Sequence, residues 1–177
     1  MKDTAAYNFI SDFYGDRVAN RSQVKLMNHI DEGIEILTMI GASDDAKEAF
    51  CMHPIVQSQD DLERNQHWVL DIDPNVLRPR VMLLAMEYRN IANQYLSHRA
   101  INGINEIVLS PIKDVNDMLI ADKIQNYKDF LIHHQATHPR SRELTHYFCN
   151  WLKRLDIVDV FETYYGLKTS SWTKVTK

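Results

Sequence analysis

The chain has 177 residues, 45% of them hydrophobic, and a formal net charge of -4. This length suits one domain that buries roughly two thirds of the surface of its unfolded chain. The acidic balance provides no basic field for phosphate backbones and argues against binding to duplex nucleic acid. No apolar run approaches the roughly 20 residues that cross a bilayer, and the acids in residues 1–20 are unlike a secretory leader. We therefore expect a cytoplasmic protein without membrane association. The sequence leaves the oligomeric state open, and an oligomer is one of the states it allows.

The hydrophobic periodicity predicts an all-α fold. Glycine and proline number five each, and apolar residues rarely alternate with polar ones, so strands have few places to form. Apolar residues at three- and four-residue steps outline a first helix that Gly15 would end, and a second helix, carrying His29, that Gly41 would end. The expected architecture is a single-domain helical bundle over residues 1–165.

A third helix is predicted to begin near residue 44. Ser43 precedes two acids, and a hydroxyl followed by acids is typical of a helix amino terminus. Pro54 should end or kink this helix just after His53. The polar stretch over residues 57–73 is interpreted as a loop with about one helical turn.

The second half of the chain continues the helical pattern. A long helix is expected from about residue 74, with Pro79 in its first turn, and residues 107–109 could form a brief extended segment. Ser110 and the proline after it would start the helix that holds Asp122. The next helix is strongly amphipathic, with apolar residues Leu144, Tyr147, Phe148, Trp151, Leu152 and Leu155. Residues 166–177 are polar and without periodicity, and we expect a loose tail there.

Three candidate metal ligands lie on separate predicted helices: His29, His53 and Asp122. Metals in helical bundles are held by inward side chains from facing helices, so wide separation along the chain is no objection. Two imidazoles and one carboxylate suit a divalent Mn, Fe or Zn ion better than Mg or Ca, which prefer oxygen ligands.

Each candidate ligand has a structural alternative. Either histidine could simply pack in the core and bond a carbonyl group. Asp122 lies in an apolar run, where a buried carboxylate needs a cation, hydrogen-bond donors or a metal, so its alternative is a salt bridge or an exposed helix edge. Asn126, one turn further on, could bind a ligand or orient Asp122.

These residues belong to motifs that resemble a known family. The motifs are His29-Ile30, Ala49 to His53, Ala121-Asp122-Lys123 with Asn126, and Tyr147-Phe148 followed by Trp151. Together they resemble the HD superfamily of metal-dependent phosphohydrolases, and within it the alarmone hydrolases, which include the MESH-type enzymes and the hydrolase domain of the RelA/SpoT proteins. The resemblance extends over roughly residues 17–155.

The resemblance implies an HD-like helical bundle and a function. A Mn-like ion would lie on His29, His53 and Asp122, and a guanosine tetraphosphate or pentaphosphate would lose its 3'-pyrophosphate. Either of two arginines, Arg17 or Arg21, would stand near the family's basic residue. Two further side chains, Lys123 and Asn126, would face the nucleotide.

The chain departs from the family pattern where carboxylates are expected. Pro54 replaces the aspartate after the second histidine, and Gln57-Ser58 replaces the Glu-Asp pair that positions water. Asp60, Asp61 and Glu63 lie near enough in sequence to substitute, with Asp60 and Asp61 as the candidate catalytic residues, although charges in a loop are often only solvated. Loss of a general base typically costs on the order of 10²- to 10⁴-fold in rate.

Two functions therefore remain open from the sequence. The first is a divergent metal-dependent phosphohydrolase for a nucleotide or other phosphate ester, in which Arg89 and Asn93 could reach a phosphate in the same pocket. The favoured alternative for Arg89, and for Glu87 beside it, is an ordinary surface ion pair. The second is a catalytically silent HD-like module that binds a nucleotide or a protein partner. The histidines of residues 133–138 offer a weaker alternative metal site, but the neighbouring turn residues favour an ordinary polar surface.

Overall fold

The computed structural model describes residues 2–20, 22–70, 72–73, 78–96 and 104–170. The all-α prediction is confirmed, because these residues form eight α-helices and contain no strand. The helices are α1 Ala5–Tyr14, α2 Met27–Met39, α3 Asp44–Met52, α4 Gln59–Leu70, α5 Pro79–Gln94, α6 Lys113–Asp129, α7 Ser141–Leu155 and α8 Val158–Ser170. None of the helices in these ranges is long and apolar enough to cross a membrane.

The predicted ends of the first helices are confirmed. Gly15 and Gly41 follow α1 and α2 with φ angles of 52° and 69°, a left-handed region that favours glycine. Ser43 caps α3, and its hydroxyl accepts the backbone N–H of Ala46 at 3.1 Å. Pro54 ends α3 as expected, since α3 gives way to a tight 3₁₀ turn over His53–Ile55.

Three segment predictions are wrong. The stretch predicted as a loop contains α4, because Ser58 and Asp61 form a capping box in which each binds the other's backbone N–H, at 3.0 and 3.1 Å. In addition, α8 continues through the first five residues of the predicted tail, to Ser170, and residues 171–177 lie outside the described ranges. Residues 107–109 are irregular rather than paired in a strand.

The starts of the two longest helices also differ from the predictions. The helix expected from about residue 74 begins at Pro79, which is therefore in its first turn as predicted, and residues 74–77 lie outside the described ranges. Ser110 belongs to the turn before α6, where its hydroxyl accepts the backbone N–H of Ile112 at 3.2 Å, and α6 begins only at Lys113.

Helix α6 forms the centre of the bundle. It packs against α2, α3, α5, α7 and α8, and most of its residues are buried. A helix surrounded in this way must bury its polar side chains, which is stable only where they find partners. The fold therefore brings Asp122 inside, next to α2 and the turn after α3.

Candidate metal centre

His29, His53 and Asp122 come together although they lie on three different elements. His29 is on α2, His53 is in the turn after α3, and Asp122 is on α6. Each offers one ligand atom, and these three atoms lie within 4.8 Å of one another. The two Nε2 atoms are 3.3 Å apart, and Nε2 of His29 is 3.8 Å from Oδ1 of Asp122. The predicted neighbourhood of the three residues is thus present in the structure.

Hydrogen bonding fixes the tautomer of His53. Its Nδ1 lies 2.6 Å from the backbone carbonyl oxygen of Phe50. A carbonyl oxygen can only accept, so Nδ1 must carry the proton and donate. The Nε2 atom of the neutral ring therefore has a free lone pair, directed toward His29.

The tautomer of His29 is fixed by Gln125, which sequence reasoning missed. The side-chain amide nitrogen of Gln125 donates to Asp129 at 2.7 Å and to Glu32 at 3.3 Å. This orientation leaves Oε1 to accept from Nδ1 of His29 at 2.7 Å, so in the neutral ring the lone pair of His29 is on Nε2. The only signal in the sequence was an amide three residues after Asp122, on the same helix face.

When both rings are neutral, two lone pairs face each other, and a cation between them would bind both. Burial, followed by the positive charge that His29 carries when it is protonated, lowers the pKa of His53 to about 3, so the ring of His53 takes up a proton poorly. A metal ion suits the site better, since Zn–N bonds of about 2.0–2.1 Å at tetrahedral angles separate two nitrogens by about 3.3–3.4 Å. In most metal sites the second ring nitrogen of each histidine donates to an oxygen, as both do here.

Asp122 is ionised and held from two sides. Burial alone would raise its pKa, but the charge of Lys123 and then the imidazoles outweigh this and lower the pKa to about 2. Lys123 donates to Oδ2 at 2.8 Å, and Asn126 donates to Oδ1, also at 2.8 Å. Asn126 was expected either to bind a ligand or to orient Asp122, and its hydrogen bond with Asp122 is the orienting contact.

Lys123 is buried and lies on the wall of a second cavity, which has a volume of about 470 Å³. Only 5% of this residue is exposed, and its ammonium group lies 4.9 Å from the ring of Trp151 and 5.7 Å from that of Tyr147. These cation–π contacts and the ion pair with Asp122 hold the charge inside the protein. Lys123 therefore supports Asp122, and the expectation that it also faces a nucleotide stays a prediction.

A cavity of about 560 Å³ opens beside the three ligands. Arg17 and Asn126 lie on its wall as predicted, and Arg21 is outside the described residues. Its other walls include side chains that were not predicted to take part: Tyr14, Lys25, Pro54, Gln57, Arg64, Asn65 and Asp129. A pocket of this size and polarity suits a small anionic ligand.

The two candidate acids on α4 have different surroundings. Asp61 lines the cavity, but its Oδ2 accepts from the hydroxyl of Ser58 at 2.6 Å. Asp60 is exposed and is not part of the cavity wall. Pro54 itself lines the cavity, and among the described residues the ligand cluster contains no further acid.

Arg89 and Asn93 do not share this pocket. Arg89 donates to Gln59 at 2.9 Å, and Asn93 donates to the backbone carbonyl of Gln57, also at 2.9 Å. Both line a separate cavity of about 250 Å³ on α5. The expectation that they reach a phosphate in the His29 pocket is wrong, because α5 turns this face toward α4.

The histidines of residues 133–138 form no metal site among the described residues. His133 and His134 lie in a single π-helical turn over Phe130–His134. The Nδ1 atom of His138 accepts the backbone N–H of Arg140 at 3.0 Å. This agrees with the polar-surface interpretation.

Comparisons of the chain with models of protein families, with curated proteins and with solved structures find no match. The HD-like resemblance therefore stays a prediction from short motifs, and function must be argued from the site itself.

The role of Gln125 gives a direct prediction. Gln125→Leu removes the acceptor that holds the proton on Nδ1 of His29, so we expect Mn²⁺ affinity to fall about 10- to 100-fold, as when outer partners of metal ligands are lost. Isothermal titration of the purified variant measures this. The control is Gln135→Leu at an exposed position. Equal affinities of both variants and the unchanged protein would contradict the tautomer assignment.

Proposed function

We propose that this chain is a metal-dependent phosphohydrolase that acts on a phosphate ester, with a nucleotide as the preferred substrate. The observation that carries the proposal is the pair of Nε2 atoms, 3.3 Å apart, beside an ionised carboxylate at the wall of a polar cavity. Three ligands leave coordination positions for water and for substrate. When bound, a divalent ion would supply acidified water and withdraw charge from phosphorus.

The residues around the ligands have complementary roles in this proposal. Lys123 and Asn126 hold the carboxylate of Asp122 in one orientation, and Gln125 holds the ring of His29. Arg17 presents its guanidinium group to the cavity, where it can bind phosphate oxygens. Positioning of this kind lowers the activation barrier, because the substrate loses its translational and rotational freedom when it binds rather than when the transition state forms.

A second cavity, next to the first, favours a substrate that carries an organic group. Its volume is about 470 Å³, and it shares Asp122 and Asn126 with the first cavity. Its wall is more apolar and includes the aromatic rings of Phe130, Tyr147 and Phe148. A flat base could lie against these rings while its phosphate reaches the ligand cluster, which favours a nucleotide over a simple phosphate ester.

One observation favours a second candidate, a silent module that binds a nucleotide without hydrolysing it. Asp61 is the carboxylate of α4 on the cavity wall, and its bond to Ser58 makes it a weak replacement for the missing Glu-Asp pair. Without an effective base we expect slow turnover, reduced on the order of 10²- to 10⁴-fold relative to an enzyme that has one.

One experiment separates the two candidates. Mn²⁺ binding is measured by titration for the unchanged protein, for His53→Ala and for the exposed control His146→Ala, and phosphate or pyrophosphate release is then measured on a nucleotide panel. We expect binding and release, both lost in His53→Ala and kept in the control. Binding of metal and nucleotide without release would favour the silent module. Absence of metal binding in the folded, unchanged protein would reject the phosphohydrolase.

A further inference from the structure

Tyr88 is a buried tyrosine in contact with the ligand cluster. It lies on α5, which packs against α6, and only 1% of the residue is exposed. Its ring packs against the ring of His53, with centroids 4.9 Å apart and planes at 61° to each other. The ring of Phe50 is the second aromatic contact of His53, at 4.6 Å between centroids. The position of Tyr88 is therefore tied to that of a candidate metal ligand.

The hydroxyl group of Tyr88 is buried without a well-formed hydrogen bond. Its oxygen is closed off from solvent, and none of the described residues has a polar atom in hydrogen-bonding geometry with it. An unpaired buried hydroxyl destabilises a folded protein, so such groups are few in native structures and each needs a physical explanation. The state of this hydroxyl is explained if its partner reaches the bonding position only when the site holds a ligand.

The polar neighbours of this hydroxyl are a candidate metal ligand and a residue of the cavity wall. They are the carboxylate of Asp122 and the side chain of Gln57, and Gln57 lines both the 560 Å³ and the 470 Å³ cavity. Burial and then the charge of Asp122 raise the pKa of Tyr88 well above its ordinary value. Tyr88 is therefore a neutral phenol, which can donate one hydrogen bond and accept others.

The carboxylate of Asp122 has room for one more donor. A carboxylate has about four lone-pair positions on its two oxygens. Asn126 occupies one on Oδ1 and Lys123 occupies one on Oδ2, each at 2.8 Å. An ion bound to Oδ1, the oxygen that lies 3.8 Å from Nε2 of His29, would use a third. One position on Oδ2 remains, and a phenol such as that of Tyr88 is a donor that can fill it.

Metal ligation requires a small movement of this carboxylate. Nε2 of His29 and Oδ1 of Asp122 are 3.8 Å apart. Two ligand atoms at about 2.0–2.2 Å from a tetrahedral ion are about 3.3–3.6 Å apart, so the two side chains must approach by roughly 0.2–0.5 Å. Such a movement also changes the distance and angle between the carboxylate and the hydroxyl of Tyr88. The two groups can therefore form in the metal-bound protein the bond that the metal-free structure lacks.

We propose that Tyr88 is a positioning residue of the metal centre, whose hydroxyl donates to Asp122 when a metal ion is bound. This inference rests on the proposed function, because it concerns the ion that the phosphohydrolase would use. Lys123, Asn126 and Tyr88 are then three donors that hold the carboxylate for ligation, as outer partners do in most metal sites. The amide of Gln57 can donate to the hydroxyl oxygen and orient its proton toward Asp122.

The test measures Mn²⁺ affinity by titration and thermal unfolding of the metal-free protein. Tyr88→Phe removes the hydroxyl and keeps the ring against His53. We expect its Mn²⁺ affinity to fall about tenfold, the lower end of the effect of losing an outer partner of a metal ligand. Its unfolding temperature without metal should be equal to or higher than that of the unchanged protein, because the hydroxyl that is removed was unpaired. This opposite pair of effects is not expected of a purely structural residue.

Two further variants isolate the hydroxyl group. Tyr88→Leu also removes the ring, so both its Mn²⁺ affinity and its unfolding temperature should fall. The matched control is Tyr127→Phe on α6. Tyr127 is also buried, but its hydroxyl lies 3.7 Å from Sγ of Cys149, and the residue lines neither of the two cavities. We expect this control to bind Mn²⁺ as the unchanged protein does.

The outcomes separate the role of Tyr88 from the proposed function. Equal Mn²⁺ affinities of Tyr88→Phe and Tyr127→Phe would overturn the role of the hydroxyl, and weak binding by Tyr88→Leu alone would assign the support of His53 to the ring. A lower unfolding temperature of metal-free Tyr88→Phe would also overturn it, since the hydroxyl would then be bonded without metal. Absence of Mn²⁺ binding in the folded, unchanged protein would reject the proposed function, and the role of Tyr88 with it.

Discussion

Asp122→Ala should lower the free energy of unfolding of the metal-free protein by about 3–5 kcal/mol, the usual cost of leaving a buried charge without its partner. Lys123 is 5% exposed and pairs with Asp122 at 2.8 Å. Burial disfavours its charged form, and the charge of Asp122 outweighs this and raises its pKa. Removal of the carboxylate leaves an ammonium group between two aromatic rings and away from water. Urea unfolding followed by circular dichroism measures the effect.

A double variant identifies the cause. Asp122→Ala combined with Lys123→Met removes both charges and leaves an apolar side chain of similar length, so most of the lost stability should return. Metal binding should not return, because the ligand is still absent. Glu143→Ala serves as a control, since the exposed pair of Glu143 with Arg140 should contribute about 1 kcal/mol or less. If the single and double variants were equally unstable, the ion pair would not be the cause.

Gly33→Ala should disturb the ligand cluster through packing alone. A Cβ atom at Gly33 would lie 2.0 Å from Cε1 and 2.4 Å from Cζ of Phe50, so the ring would have to move. The ring centroid of Phe50 lies 5.3 Å from that of His29 and 4.6 Å from that of His53. We expect a loss of about 1–3 kcal/mol from overpacking, larger than the helix propensity that alanine gains over glycine. Weaker Mn²⁺ binding should accompany it, because the ring supports both imidazoles.

The control for Gly33 lies on another helix. Among the described residues, and apart from the backbone of its own helix and its chain neighbours, Gly166 of α8 has no atom within 4 Å of the position a Cβ would take, so Gly166→Ala should stabilise the protein by about 0.5–1 kcal/mol. Thermal unfolding and Mn²⁺ titration of the two variants are compared. Addition of Phe50→Leu to Gly33→Ala should relieve the contact and return part of the stability. Stabilisation by Gly33→Ala would show that the ring moves without cost and would refute the packing argument.

Much of the helical framework could be predicted from local pattern. The capping signal at Ser43, the glycines after α1 and α2 and the proline after His53 each act over a few residues, so the sequence alone locates them. The segment of α4 was missed because its residues are polar and show no apolar period. Its start depends on the reciprocal bonds of Ser58 and Asp61, a signal of four residues inside a stretch that otherwise resembles a loop.

In the candidate site, too, the sequence predicted some features and missed others. The residue types of His29, His53 and Asp122 identified possible ligands, and a central helix rich in apolar residues implied that the acid would be buried. The supporting residues could not be found in this way. The partner of His29 is 96 residues away along the chain, and the aromatic rings of α7 beside Lys123 reach it only through the packing of the helices.

By itself, the sequence determined an all-α chain, most helix ends and three separated side chains of metal-binding type. Only the tertiary structure decided that the two imidazoles present their Nε2 atoms to each other, that Lys123 neutralises Asp122 from within, and that α4 brings Arg64 to the cavity. The physical reason is the separation along the chain of the residues that each property depends on. Helix formation depends on hydrogen bonds and side-chain contacts within about four residues. Protonation, ion pairing and cavity shape depend on neighbours that only the packing of distant helices supplies.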